Sequence, residues 1–106
     1  MITLEEFKKA EIKIGKIISA EKIEGSEKLL KLMVDFGSEQ RQILSGIAKF
    51  YDSSVLIGKE ALFITNLEPR SMMGLESHGM LLAVDSESGP VLLYPEKEVR
   101  PGSNLR

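Results

Sequence analysis

EIKIGKIISAEKIEGSEKLLKLMVDFGSEQRQILSGI, from Glu11 to Ile47, is the stretch whose reading decides the fold. Its first third carries Ile12, Ile14, Ile17, Ile18 and Ile23, a β-branched run of strand character. The alternation breaks near Gly15, which predicts a bulge or a sharp bend in a long first strand. Glu24 to Lys28 reads as a connecting turn. Beyond it Leu30, Leu32, Val34 and Phe36 alternate with Lys31, Met33 and Asp35, the period of a half-buried strand. Gly37 to Gln40 reads as a hairpin turn and Arg41 to Ile47 as the returning strand. A long bent strand feeding a meander is how a five-stranded OB-fold barrel begins.

The flanking sequence fits that reading. Upstream, Thr3 and Glu6 have the spacing of a capping box, so Leu4 to Ala10 is expected to be a short helix. Leu4 and Phe7, three apart, would dock one side of it. Downstream, Tyr51 to Gly58 is turn-rich with room for one helical turn. Three short apolar runs follow, Ala61 to Thr65, Met80 to Val84 and Val91 to Tyr94, with a turn at Asp85 to Pro90. The tail from Pro95, carrying Pro101 and Gly102, reads as irregular. The expectation is one all-β domain over 1–106, an OB-fold barrel with a short N-terminal helix and a C-terminal extension. The last three apolar runs barely alternate, so both faces are expected to be covered, the outer one by the tail or by a second copy. Met80 is expected in the core.

A chain of 106 residues supports one hydrophobic core and not two. Hydrophobic residues at 42% and charged residues at 28% are ordinary for a soluble globular protein. No apolar run approaches the length of a membrane span, and the N-terminus lacks a signal-peptide pattern, so cytoplasmic residence is the default. With no cysteine there is no disulfide framework and no thiolate chemistry. A net charge of −2 and a pI near 5.5 argue mildly against nucleic-acid binding, although a local basic patch can coexist with an acidic remainder.

Catalytic constellations are wanting. His78 is the only histidine and has no cysteine to join it, so neither a triad nor a zinc site is indicated. There is no phosphate-binding glycine loop, and Ser45-Gly46 lacks the preceding glycine of a nucleophile elbow. No metal, cofactor or enzymatic activity is therefore expected.

Binding residues concentrate elsewhere. Asn66 to Leu82, NLEPRSMMGLESHGMLL, is a polar loop between two apolar runs, the arrangement of a site on a rigid scaffold. Arg70 and Asn66 border it, with Ser77 and His78 at its far end. Lys31 and Met33 lie on the polar side of one strand, with Arg41 expected near them across the hairpin and Lys28 in the preceding turn. Arginine can take phosphate with two bonds or stack on a base, while asparagine and serine supply hydrogen bonds. Each lysine also fits ordinary surface solubility, and Asn66 and Arg70 also fit a loop brace, Arg70 pairing with Glu68 or Glu76. Aromatic residues are few, so RNA would be recognised through shape and backbone rather than by stacking.

The chain resembles a known family, the tRNA-binding domain joined to many methionyl-tRNA synthetases as a C-terminal or β-subunit-type module and also found free-standing. The opening Phe7, Lys9, Glu11, Ile12, Lys13, Ile14, Gly15, Lys16 and Ile17 carries the likeness. It continues through Glu24 to Leu32, Val34 to Gly37, Arg41 to Ile47 and Leu56 to Lys59. Asn66, Leu67, Pro69, Arg70, Gly74, Ser77, Gly79 and Met80 form the central signature, and Leu93, Pro95, Pro101 and Gly102 close it. The resemblance implies a non-catalytic OB-fold module that binds folded tRNA without strong sequence preference. It further implies a homodimer that assists a methionyl-tRNA synthetase catalytic chain, whose own catalytic signatures are absent here. Ser71 and Met73 stand where many relatives carry basic residues, which would weaken phosphate contact. Against this stand a protein-interaction or dimerisation module and a chaperone-like module with incidental RNA binding.

Overall fold

A computed structural model describes residues 1–106. One long strand, β1 (Ile12–Lys22), organises it by changing partners along its length. Its first half pairs antiparallel with β4 (Glu60–Ile64), from Ile12↔Ile64 to Lys16↔Glu60. Its second half pairs antiparallel with β2 (Leu30–Asp35), from Lys16↔Asp35 to Lys22↔Leu30. The ladder slips between Ile17 and Ser19, which places the bulge at Ile18, just past Gly15. Gly15 serves the bend differently: a Cβ there would stand 2.4 Å from Val34 Cγ1, so only glycine lets β2 pass so close.

β3 (Gln40–Ser45) returns along β2 and β7 (Met80–Leu81) adds to β4, giving the five-stranded order β3-β2-β1-β4-β7. Leu30, Leu32 and Val34 point inward with Ile17, Ala20, Ile43, Ile47, Ala61, Phe63 and Leu81 to fill the barrel. Phe36 meets Phe63 edge to face, ring centres 5.5 Å apart at 84°. Leu56 enters from α2 (Ser53–Leu56), the single helical turn expected after Tyr51; Asp52 caps it by accepting from the Ser54 N–H. The fold is the expected all-β, OB-type barrel.

Four expectations are revised. The capping box is present, Thr3 Oγ1 accepting from Glu6 N–H and Glu6 Oε1 from Thr3 N–H, but α1 is only Leu4–Phe7. It buries no residue, leaving Leu4 65% and Phe7 44% exposed. Met80 is 43% exposed, not core, because on the two-residue strand β7 it is the next residue, Leu81, that faces the barrel interior. Met80 to Val84 divides between β7 and β8 (Ala83–Ser86), and β8 forms a hairpin with β9 (Gly89–Leu92) outside the main sheet. Val84, Val91, Leu93 and Tyr94 there remain exposed, so within one chain the outer face of this half is bare. The tail is not irregular where it meets β1. Gly102 N–H donates to Ile14 O (2.7 Å), Ile14 N–H to Ser103 O (2.9 Å) and Leu105 N–H to Ile12 O (2.9 Å), a short edge pairing beyond the reach of β2.

Candidate nucleic-acid interface

Asn66 to Leu82 is not a plain loop. Within it β5 (Arg70–Met72) and β6 (Leu75–Ser77) form a hairpin turning at Met73-Gly74, both with positive φ (54° and 76°). A two-residue turn of that sense suits the twist of paired strands, and glycine carries its second position at little cost. β6 then runs along the free edge of β3. His78 N–H donates to Gln42 O (2.9 Å), Leu44 N–H to Ser77 Oγ (3.0 Å) and Gln42 Nε2 to Glu76 O (2.9 Å). These bonds nearly close the barrel and leave a groove of about 380 Å³ lined by Glu39, Gln40, Arg41, Gln42, Leu67, Pro69 and His78.

Arg41 forms part of the groove. It sits opposite Val34, on the inward-facing side of the sheet, and not beside Lys31 and Met33 as expected from the hairpin. Its guanidinium lies 6.0 Å from the Phe36 ring centre. One edge is fixed: Nη1 donates to Thr65 O (2.5 Å) and His78 O (3.3 Å). The other edge, Nε and Nη2, holds the two Glu39 carboxylate oxygens at 2.8 and 3.3 Å. That ion pair and its hydrogen bonds keep the Glu39 carboxyl below the usual carboxylate range.

The other six candidates fall into distinct places. His78 shares the groove, its ring 44% exposed and Nε2 3.4 Å from Glu76 Oε2. Arg70 pairs across the hairpin with Ser77, is exposed, and makes neither an ion pair with Glu68 or Glu76 nor a side-chain hydrogen bond. Ser77 is only 3% exposed; its hydroxyl accepts from Leu44 N–H and donates to Gly79 O (3.0 Å), so it locks the hairpin to the barrel. Asn66 braces: Oδ1 accepts from Glu11 N–H (2.7 Å) and Nδ2 donates to Lys9 O (2.6 Å). Lys31 points outward from β2 with Nζ 3.5 Å from Glu21 Oε2. Lys28 is exposed in the β1–β2 connection. The hairpin tip approaches that connection, the Met73 methyl lying 3.4 Å from where a Cβ on Gly25 would stand.

Leu67 and Pro69, quoted above only as part of the family signature, also line the groove, as do Gln40 and Gln42, which were not proposed as site residues. Alternation could have placed Gln40 and Gln42 on the outward face, and the two-residue spacing of Glu39 and Arg41, which puts both on one side of an extended segment, is the local signal for their pairing.

What fold and site define is an OB-fold protein with a polar, arginine-floored groove at one end of its barrel. The chain belongs to the family described as putative tRNA binding domain, whose profile matches residues 12–104. It is 49% identical over 104 residues to a methionine–tRNA ligase of Archaeoglobus fulgidus and 51% identical over 106 residues to that of Methanoregula boonei. Those matches take in 98% and 100% of this chain but span only 16% of each ligase. Among solved structures, a MetRS related protein from Pyrococcus horikoshii superposes with a TM-score of 0.94 at 39% identity, covering 100% of this chain and 98% of that one. A CsaA chaperone protein from Picrophilus torridus superposes at 0.92 with 26% identity, over 100% of both chains.

Proposed function

We propose that this chain is a non-catalytic tRNA-binding module that reads folded tRNA by shape and backbone and assists methionyl-tRNA synthetase as a C-terminal or β-subunit-like domain in the cytoplasm. The observation that carries this reading is Arg70, a cation with no protein partner beside the groove of a domain in the tRNA-binding family. Lys28, Lys31, Arg41 and His78 supply further contacts, while Asn66 and Ser77 hold the loop that presents them. Arginine is suited to the work because its fork matches two phosphate oxygens.

The module acts as a homodimer in this reading. Support comes from the apolar surface of Leu4 and Phe7 on α1 and of Val84, Val91, Leu93 and Tyr94 near β8–β9, bare in one chain.

The test is titration with unfractionated tRNA at two salt concentrations, with a single-stranded oligonucleotide of equal length as control. Arg70→Ala is expected to weaken tRNA binding and flatten the salt dependence by about one phosphate contact, a slope change of roughly 0.9, with an unchanged melt. No tRNA binding by the folded protein at low salt would refute the reading. A chaperone-like module is the second reading, favoured by the likeness to CsaA and by the exposed Met73 and Met80. Suppression of aggregation that added tRNA leaves untouched would select it.

A further inference from the structure

The protein has three side-chain ion-pair contacts, Lys31–Glu21, Arg41–Glu39 and His78–Glu76, the last charged only when the imidazole is protonated. Every one of them ties up a residue of the proposed RNA set. Thirty charged lysine, arginine and acidic side chains are spread through the chain, yet no such contact forms anywhere else. Exposed pairs of this kind contribute little to stability, so the fold does not require them there.

Arg41 gives the most telling geometry. Its Nη1 edge is pinned by the Thr65 and His78 carbonyls, so its Nε–Nη2 fork is aimed before any ligand arrives. Glu39 fills that fork with two oxygens, at 2.8 and 3.3 Å, from a side chain that is itself half-exposed and has no other hydrogen-bond partner. A carboxylate and a phosphate present the same two-oxygen face to a guanidinium. Glu21 stands likewise on Lys31, its cross-strand neighbour, and Glu76 on His78.

We propose that Glu21 and Glu39 are built-in competitors for phosphate, each holding in the free protein the place on its cation that an RNA phosphate takes in the complex; this rests on the tRNA-binding reading. A flexible polyanion that reaches one cation at a time gains little from each exchange. A folded RNA, whose phosphates are already held in fixed array, gains from each exchange it makes without having to order itself. The carboxylates thus lower affinity for every polyanion and weigh most on unstructured ones, which is specificity obtained by subtraction. The net charge of −2 becomes part of the site and not an argument against it.

Glu39→Gln and Glu21→Gln test this, with Glu68→Gln as a control of equal charge change. Glu68 sits between groove residues Leu67 and Pro69 and has no ion pair. Glu39→Gln is expected to tighten tRNA binding about two- to fivefold at low salt, to tighten the single-stranded oligonucleotide more, and to steepen the salt slope by up to about one. The Glu21→Gln gain should vanish in a Lys31→Met background, which needs no change at the bracing Arg41. Equal gains from Glu68→Gln would mean that net charge alone acts, and would overturn the proposal. So would wild-type affinity in both paired variants when the wild-type protein binds tRNA. Absence of tRNA binding by the wild-type protein itself marks instead failure of the reading beneath it.

Discussion

Gly102→Ala should detach the C-terminal tail from β1. Gly102 has a φ of 91°, and a Cβ on it would stand 2.1 Å from the Phe36 carbonyl oxygen, a backbone atom that no rotamer can move. Reaching an ordinary contact takes a backbone shift of more than an ångström. The three tail bonds, at 2.7, 2.9 and 2.9 Å, cannot survive that shift. Keeping the tail docked therefore costs more than releasing it, and the loss is capped by the three bonds. At roughly 0.5–1.5 kcal/mol net for each bond, destabilisation should fall at about 1.5–4.5 kcal/mol. Gly58→Ala is the control: its φ is 87°, but nothing lies within 4 Å, so it carries only the positive-φ penalty of roughly 1–2 kcal/mol. Urea unfolding gives the two energies. Native-state hydrogen exchange gives the mechanism: the Ile14, Gly102 and Leu105 amides should exchange fast while the β1–β2 and β2–β3 ladders stay protected. A Gly102→Ala protein no less stable than Gly58→Ala, with the Ile14 amide still protected, would refute the reasoning.

Asn66→Ala removes both bonds to the α1–β1 junction and should cost roughly 1–3 kcal/mol in urea unfolding. Asn66→Asp should recover little of it, since its second oxygen faces the Lys9 carbonyl. Ser77→Ala strips the acceptor from the Leu44 N–H beneath a buried hydroxyl and should cost about 1–3 kcal/mol, a wild-type melt being the contrary result. Glu39 and Asp52 both have folded pKa values lowered, by Arg41 and by the Ser54 N–H and hydroxyl respectively. Their stabilisation is present above the unfolded carboxyl values, about 4, and is lost as pH falls through the lower folded ones. A Glu39→Gln, Asp52→Asn protein should therefore show a shallower acid limb by circular dichroism, and superimposable profiles would contradict it.

Much of the barrel was legible because its physics is local. Leu30 to Phe36 alternates, the isoleucines of β1 announce a strand, and Thr3 with Glu6 marks the helix start. The β5–β6 hairpin was hidden because its turn has methionine, at a φ of 54°, in a place where sequence reading looks for asparagine or glycine. The tail pairing was hidden because it uses backbone atoms alone, in a proline-rich stretch. The position of Arg41 was partly legible: it shares parity with Ile43, which faces the core opposite Leu32. Its carbonyl partners, 24 and 37 residues away, could not be read from any local pattern. The apolar run at Met80 misled because its lack of alternation reads as one strand covered on both faces, whereas it is split between β7 and β8 and leaves Met80 and Val84 exposed.

The Asn66 side chain joins two regions otherwise far apart in the chain, the exit of β4 and the junction of α1 with β1. Leu67 and Pro69, immediately beyond it, wall the groove. The groove wall therefore departs from a fixed point, and Thr65 fixes it a second time, its N–H and hydroxyl both donating to Glu11 O.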